Sequence, residues 1–129
     1  MIHARTMILP MAAGLCLLSG ASVAQDADEG QLAFNNNCRK CHVIKEGDNR
    51  LGPSLHDIIG REAGSAPGYA YSSAMADAGI VWDEKTLDAY IENPDAVVPG
   101  NKMKPYPGVP SAEDRAKIIA HLKAESDGE

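Results

Sequence analysis

Cys38, Cys41 and His42 constrain the fold of this chain more than any other feature of its sequence. They stand together in the stretch NNNCRKCHVIK, and they include the two cysteines that follow the first twenty residues. A Cys-x-x-Cys pair can form a disulfide, half of a zinc site or a thioredoxin-like redox pair. Zinc requires four ligands, yet the sequence has no second Cys-x-x-Cys and no His-x-x-x-His. A redox pair requires a βαβ context, which the sequence does not offer.

The histidine directly after the second cysteine indicates a different chemistry. In the pattern Cys-x-x-Cys-His each thiol adds to one vinyl group of a haem, and the imidazole of the histidine becomes a ligand of the iron. The sequence therefore predicts one covalently attached haem c, held by Cys38 and Cys41 with His42 as a metal ligand. A plain disulfide between the two cysteines stays open as the alternative.

Residues 1–24 are typical of a secretory signal peptide. Arg5 provides a basic start, an apolar run extends from Met7 to Leu18, and small residues precede the predicted cleavage after Ala24. An uncleaved anchor is the alternative, but about a dozen apolar residues fall short of the roughly 20 that cross a bilayer. Cleavage leaves residues 25–129 as one domain, with no membrane span, in the periplasm of a bacterium. In that oxidising compartment an unmodified cysteine pair usually becomes a disulfide.

The composition of residues 25–129 limits both the core and the partners. The full chain has 12 basic and 18 acidic residues, and loss of Arg5 with the leader leaves a net charge of −7. Such a charge argues against nucleic acid as a partner. One Trp, one Phe and four Tyr are few aromatic residues for a small domain that can bury only a modest core. We therefore expect a bound group to complete the core.

The hydrophobic pattern predicts an all-α chain with long loops. A first helix runs through Gly30–Asn37 and delivers Cys38 at its end. A short helix begins at Ser72 or Ser73 and stops before Gly79. A third begins near Asp83 and ends by Asn93, because Pro94 follows. After a loop from Asp95 to Pro110, a last helix is capped by Ser111 and buries Ile118, Ile119 and Leu122.

Several further motifs occur in an order that resembles the class I c-type cytochromes, the family of mitochondrial cytochrome c and its bacterial relatives. The resemblance covers the whole of residues 25–129 and implies the small cytochrome c fold, in which helices and long loops surround one covalent haem. It is carried by Gly30, Phe34, the haem-attachment motif, Leu51-Gly52-Pro53-Ser54-Leu55, Gly60-Arg61, Tyr71-Ser72, Trp82, Tyr90, Asn93-Pro94 and Pro99-Gly100-Asn101-Lys102-Met103.

The resemblance also implies roles for residues outside the attachment motif. The carbonyl of Pro53 accepts a hydrogen bond from His42 and so fixes the ring that binds iron. Three donors, Arg61, Tyr71 and Trp82, contact the haem propionates, and Tyr90 contacts the sulfur of the methionine ligand. Other interpretations stay open: an ordinary turn at Pro53, a solvated Arg61 and a simple core role for the aromatic residues.

Met103 is the predicted second axial ligand. It lies in a loop between prolines, Val98 to Pro107, which buries poorly unless something holds it, and the resemblance implies the same residue. Met75, His56 and His121 are the other candidates. The chain departs from the family in the prolines on both sides of Tyr106, in Asn101 where a threonine is usual, and in His121 where the last helix usually has an aromatic residue.

The resemblance implies a soluble, monomeric one-electron carrier between larger membrane or periplasmic redox complexes. With His42 and Met103 both on the iron no coordination site is open, so we expect no enzymatic activity. Lys102 and Lys104, beside Met103, help form a predicted docking surface for an acidic partner, and the alternative that they are merely solvated surface charges stays open. The alternatives are a dedicated electron-transfer subunit of one oxidoreductase and a haem protein whose methionine a small ligand displaces.

Overall fold

The computed structural model describes residues 10, 13–15 and 21–127, and these residues contain five helices. They are α1 (Ala21–Asn37), α2 (Ser73–Ala76), α3 (Glu84–Glu92), α4 (Pro94–Val97) and α5 (Ala112–Asp127). Within the described ranges the β structure is limited to one isolated antiparallel bridge, between Glu62 and Val81. The all-α prediction is confirmed. Most of the predicted leader, residues 1–24, lies outside the described residues, and the described helices include none long and apolar enough to cross a membrane.

The predicted helix starts at Ser72, Asp83 and Ser111 are confirmed by side chains that accept hydrogen bonds from the first turn. Ser72 Oγ accepts from the backbone N of Met75 at 3.1 Å, and Ser111 Oγ accepts from the backbone N of Asp114 at 3.2 Å. Asp83 forms a reciprocal capping box with Thr86, with bonds of 2.7 and 2.8 Å. Local sequence therefore sets where these three helices begin.

The expectation of an uninterrupted loop after Asn93 is wrong, because α4 forms one helical turn there. Asn93 ends α3 and also caps α4, since its Oδ1 accepts from the backbone N of Ala96 at 3.3 Å. Pro94 occupies the first position of α4, where its fixed φ favours a helix and its missing N–H costs nothing. The proline that stops one helix thus begins the next.

Helices α1 and α5 cross at a close contact made possible by Gly30. A Cβ on Gly30 would lie 3.0 Å from the carbonyl oxygen of Lys117 and 3.1 Å from Cβ of His121. The rings of Phe34 and His121 are 5.5 Å apart. His121 therefore occupies the aromatic position of this crossing, and the packing of the first helix on the last is formed. Next to it, Ile118 is completely buried.

The loop that contains Met103 is fixed at its far end to the end of α3. Gly108 has φ of +102°, and a Cβ there would lie 2.1 Å from the carbonyl oxygen of Glu92. The backbone N of Val109 donates to the carbonyl of Ile91 at 2.9 Å. The buried guanidinium of Arg115 in α5 adds bonds to the carbonyls of Val109 and Pro110, both of 2.9 Å. The loop therefore leaves α4 and returns to the core at a defined place.

Candidate functional site

A cavity of about 530 Å³ lies between the helices and is lined mostly by apolar atoms. Its volume is within the range of about 300–1,000 Å³ that is usual for cofactor and ligand sites. All nine site residues predicted from the sequence border it: Cys38, Cys41, His42, Pro53, Arg61, Tyr71, Trp82, Tyr90 and Met103. Residues up to 65 positions apart in the sequence thus line the same cavity.

The cysteines follow the C-terminus of α1 in a tight, hydrogen-bonded turn. The backbone N of Cys38 donates to the carbonyl of Phe34 at 2.7 Å, and the backbone N of His42 donates to the carbonyl of Cys38 at 2.9 Å. No disulfide joins Cys38 and Cys41, so the alternative of a plain disulfide is not formed. Burial, with a smaller contribution from Cys41, raises the pKa of the Cys38 thiol to about 12. No cluster of three or more His, Cys, Asp or Glu side chains suited to a metal occurs in the described part of the chain.

The imidazole of His42 is buried and is held in one orientation. Its Nδ1 lies 2.8 Å from the carbonyl oxygen of Pro53, and because a carbonyl only accepts, Nδ1 carries the proton. Nε2 is then the nitrogen with a lone pair for a metal. Burial lowers the pKa of His42 most, Arg61 lowers it further and the bond to Pro53 opposes both. The neutral ring, which is the metal-binding form, is favoured.

Gly52 packs against the ring of His42 so closely that no side chain fits. A Cβ on Gly52 would lie 2.3 Å from Cε1, 2.7 Å from Nδ1 and 2.8 Å from Nε2 of His42. The backbone N of Gly52 also donates to the carbonyl of Cys41 at 2.8 Å, which ties this loop to the attachment motif. Gly52 and Pro53 together therefore set both the position and the tautomer of the ring.

Arg61 is half-buried at the cavity wall, which differs from the solvated arginine considered as an alternative. Its Nη1 donates to the carbonyl of His56 at 2.8 Å and its Nη2 to the carbonyl of Ser54 at 2.9 Å. Its Nε is buried and has no hydrogen-bond partner among the described residues. Burial lowers the pKa of Arg61, and Tyr71 and Asp57 partly offset this. A guanidinium stays charged at neutral pH nonetheless, so an anion in the cavity would be stabilised here.

The other predicted aromatic residues lie along the same wall. Tyr71 Oη accepts from the backbone N of Ala66 at 3.0 Å, which leaves its own proton for another acceptor. Trp82 and Tyr90 are buried, with ring centroids 5.1 Å apart. Burial raises the pKa of Tyr90 to about 12, so its hydroxyl is a proton donor at neutral pH. Both rings also belong to the core, so the wall of the cavity and the core are the same set of side chains.

Two of the candidates for a second axial ligand border the cavity, and two do not. Met103 and Met75 are among its lining residues, whereas His56 and His121 are not. Met75 lies within α2. Met103 lies in the irregular loop after α4, and its backbone N donates to Oδ1 of the buried Asn101 at 2.9 Å. Of the four candidates named from the sequence, the two methionines are therefore the ones that border the cavity.

Tyr106 is a site residue that sequence reasoning did not assign. Its ring borders the cavity, and its hydroxyl is buried without a hydrogen-bond partner in the described part of the chain. Burial, followed by the charges of Cys38 and Cys41, raises its pKa to about 12. The sequence signal was an aromatic residue between two prolines in the Met103 loop.

The residues present fit a haem. Two thiols can bond its vinyl groups, an imidazole Nε2 can bind its iron, and apolar side chains can cover its ring. Arg61 Nε and Tyr106 Oη are buried donors without an acceptor in residues 21–127, and buried polar groups normally have one. A flat, apolar group with a metal and carboxylates matches this set of donors.

Comparisons with known proteins agree on one family. A sequence model of the family described as cytochrome c matches residues 27–125. Cytochrome c2 of Rhodopila globiformis is 45% identical over 104 residues, which cover 81% of this chain and 97% of that protein. Cytochrome c2 of Rhodomicrobium vannielii is 42% identical over 119 residues, 89% of this chain and 91% of that protein. The solved structure of cytochrome cH from Methylobacterium extorquens superposes with a TM-score of 0.70 at 38% identity and covers 77% of this chain and 98% of its own.

Proposed function

Because this chain belongs to the class I c-type cytochromes, we propose that it is a soluble periplasmic one-electron carrier with His42 and Met103 as axial ligands. Its fold is the small all-α cytochrome c fold, and as a member of this family it carries one covalently attached haem c. The observation that carries the proposal is that one cavity is bordered by both cysteines, the oriented imidazole and the Met103 loop.

The residues of the cavity have separate tasks in this proposal. A haem bound here supplies one redox couple, ferrous and ferric iron. Cys38 and Cys41 would hold the group covalently, and Pro53 orients His42. Arg61, whose Nε has no partner among the described residues, would pair with the carboxylates of the haem. Tyr71 and Trp82 would supply further donors to them, and Tyr90 would donate to the methionine sulfur.

Met103 is preferred to Met75 as the sulfur ligand because of where each residue lies. Both methionines pack against the core, but Met75 is part of a capped helical turn that needs no further contact to hold it. Met103 lies in a segment with no helix or strand from Val98 to Pro107, and a bond to iron would stabilise such a loop. With both axial positions taken by side chains, no site remains for a substrate. The expected activity is transfer of one electron through the edge of the ring and not enzymatic turnover.

A redox titration of the purified holoprotein tests the carrier function. We expect one reversible transition that follows a one-electron Nernst curve. The number of electrons taken up on reduction is expected to equal the number released on oxidation. Fractionation of the producing bacterium is expected to recover the chain, cleaved after Ala24, from the periplasm. A two-electron transition, or net consumption of an offered reductant under oxygen, would contradict the proposed carrier.

The exposed side chain of Lys102, which borders the cavity, supports the proposal of a partner docking surface at its mouth. Lys102 and Lys104 border the cavity, but Lys104 pairs with Asp95, which offsets part of its charge. Lys102 Nζ contacts the neutral carbonyl of Ala70 at 3.4 Å, so no carboxylate offsets its positive charge in this contact at the mouth of the cavity. Because salt screens charges beyond about 8 Å at physiological ionic strength, this local charge governs encounters there more than the distant acids do.

Replacing Lys102 by glutamate is expected to slow oxidation of the ferrous protein by the anionic reagent ferricyanide. We expect the second-order rate of the parent protein to fall as salt is added, and the rate of Lys102→Glu at low salt to be about two- to fivefold lower. Lys85→Glu, on the exposed start of α3, makes the same charge change away from the cavity and is the control. A parent rate that rises with salt would mean that the net negative charge dominates.

A further inference from the structure

Asp95 of α4 contacts the residues on both sides of Met103. Its Oδ1 accepts a hydrogen bond from Nδ2 of Asn101 at 3.0 Å, and its carboxylate pairs with Nζ of Lys104. Asn101 precedes Met103 by two residues, and Lys104 follows it directly. One side chain of a helical turn is thus connected to both flanks of the Met103 loop.

The connection through Asn101 reaches the backbone of Met103 itself. Asn101 is 5% exposed; its Nδ2 donates to Asp95 and, at 2.9 Å, to the carbonyl of Val98. Its Oδ1 accepts from the backbone N of Met103 at 2.9 Å. If the side-chain amide of Asn101 were flipped, its Nδ2 would face the backbone N–H of Met103, and two donors would meet. Its Oδ1 would then face the carboxylate of Asp95, and two acceptors would meet. Asp95 and the carbonyl of Val98 therefore both favour the orientation in which Asn101 holds Met103.

The helical turn that carries Asp95 is itself firmly placed. Asn93 caps α4, Pro94 begins it, and the backbone N of Val98 donates to the carbonyl of Pro94 at 2.9 Å. Pro94 and Val98 are buried. A rigid base of this kind lets a short chain of hydrogen bonds restrict a loop that has no regular structure of its own.

We propose that Asp95 is a positioning residue that keeps the Met103 loop closed and so slows dissociation of Met103 from the iron. The proposal rests on the axial role of Met103 given above. The contact with Asn101 provides most of the effect, because the side chains of Asp95 and Lys104 are 58% and 53% exposed and exposed ion pairs contribute little.

The test measures how fast imidazole displaces the methionine in the ferric holoprotein. Under excess imidazole the loss of the charge-transfer band of methionine–iron ligation reports opening of the loop. Asp95→Ala is expected to open about two- to tenfold faster, which is the effect of losing a hydrogen bond of ordinary strength. Asp95→Asn keeps an acceptor for Asn101, so it and Lys104→Ala are expected to stay within about twofold of the parent rate.

Asp77→Ala is the control, because it removes an exposed carboxylate next to α2 and leaves Asn101 untouched. An opening rate of Asp95→Ala equal to that of this control would overturn the proposal. An effect of Lys104→Ala as large as that of Asp95→Ala would also overturn it, since the ion pair would then hold the loop. Failure of the axial assignment looks different: the band would be absent from the parent protein or would persist in Met103→Ala.

Discussion

Replacement of both Cys38 and Cys41 by alanine is expected to yield a chain without haem that has lost most of its helical structure. Several core side chains also form the wall of the cavity, among them Ile58, Trp82, Leu87, Ile91, Ile118 and Leu122. Without haem these apolar side chains, which bound a cavity of about 530 Å³, would face water or empty space. The burial that they lose is large against the stability of a typical domain, about 5–15 kcal/mol.

Far-ultraviolet circular dichroism of the double variant measures this directly, beside the haem-loaded parent and the single variants Cys38→Ala and Cys41→Ala. Each single variant keeps one thiol for attachment and is expected to retain haem and most of its helix signal. The double variant is expected to resemble an unfolded chain. A native helix signal in the double variant without haem would mean that the described core is sufficient by itself.

Replacement of Gly52 by alanine is expected to move the imidazole of His42 away from its place. The added Cβ would lie 2.3 Å from Cε1 of the ring, much closer than nonbonded carbon atoms approach one another, about 3.5–4.0 Å. Either the ring turns and loses its bond to Pro53, or the loop shifts and breaks the bond from Gly52 to Cys41. In both cases the iron ligand is misplaced.

The spectrum of the ferric holoprotein reports this change, and Gly47→Ala is the matched control. Gly47 has φ of +71° and no atom within 4 Å of a Cβ, so its replacement strains the backbone by about 1–2 kcal/mol without touching His42. We expect Gly47→Ala to lower the free energy of unfolding and to keep the parent spectrum. For Gly52→Ala we expect an altered Soret band and poor haem incorporation. An unchanged spectrum in Gly52→Ala would show that the loop can yield without moving the ring.

Local features of the fold were predictable because short-range chemistry decides them. Ser72, Asp83 and Ser111 begin helices through bonds to residues three positions away, and such short-range contacts can be predicted from neighbouring residues in the sequence. The turn after Asn93 was missed because a proline ends one helix and begins another with equal ease. The neighbouring asparagine, which caps α4, was the signal that distinguishes the two outcomes.

The tertiary contacts of the site could be predicted only in part. The attachment motif and the resemblance named nine residues that all border one cavity. The contact of Gly52 with the ring of His42 depends on how two loops meet, which no spacing encodes. The same holds for the bond between Asp95 and Asn101 and for the burial of the Tyr106 hydroxyl. Residues that act on a ligand through another side chain are found from coordinates and not from motifs.

Exposure of the ferrous holoprotein to carbon monoxide tests the central claim most directly, namely that His42 and Met103 close both axial positions of the iron. With Met103 bound, the Soret spectrum is expected to stay unchanged for at least seconds after mixing at neutral pH. The variant Met103→Ala opens that position and is expected to bind carbon monoxide at once, which proves that the reagent reaches the cavity. Binding by the parent protein as fast as by Met103→Ala would contradict the account.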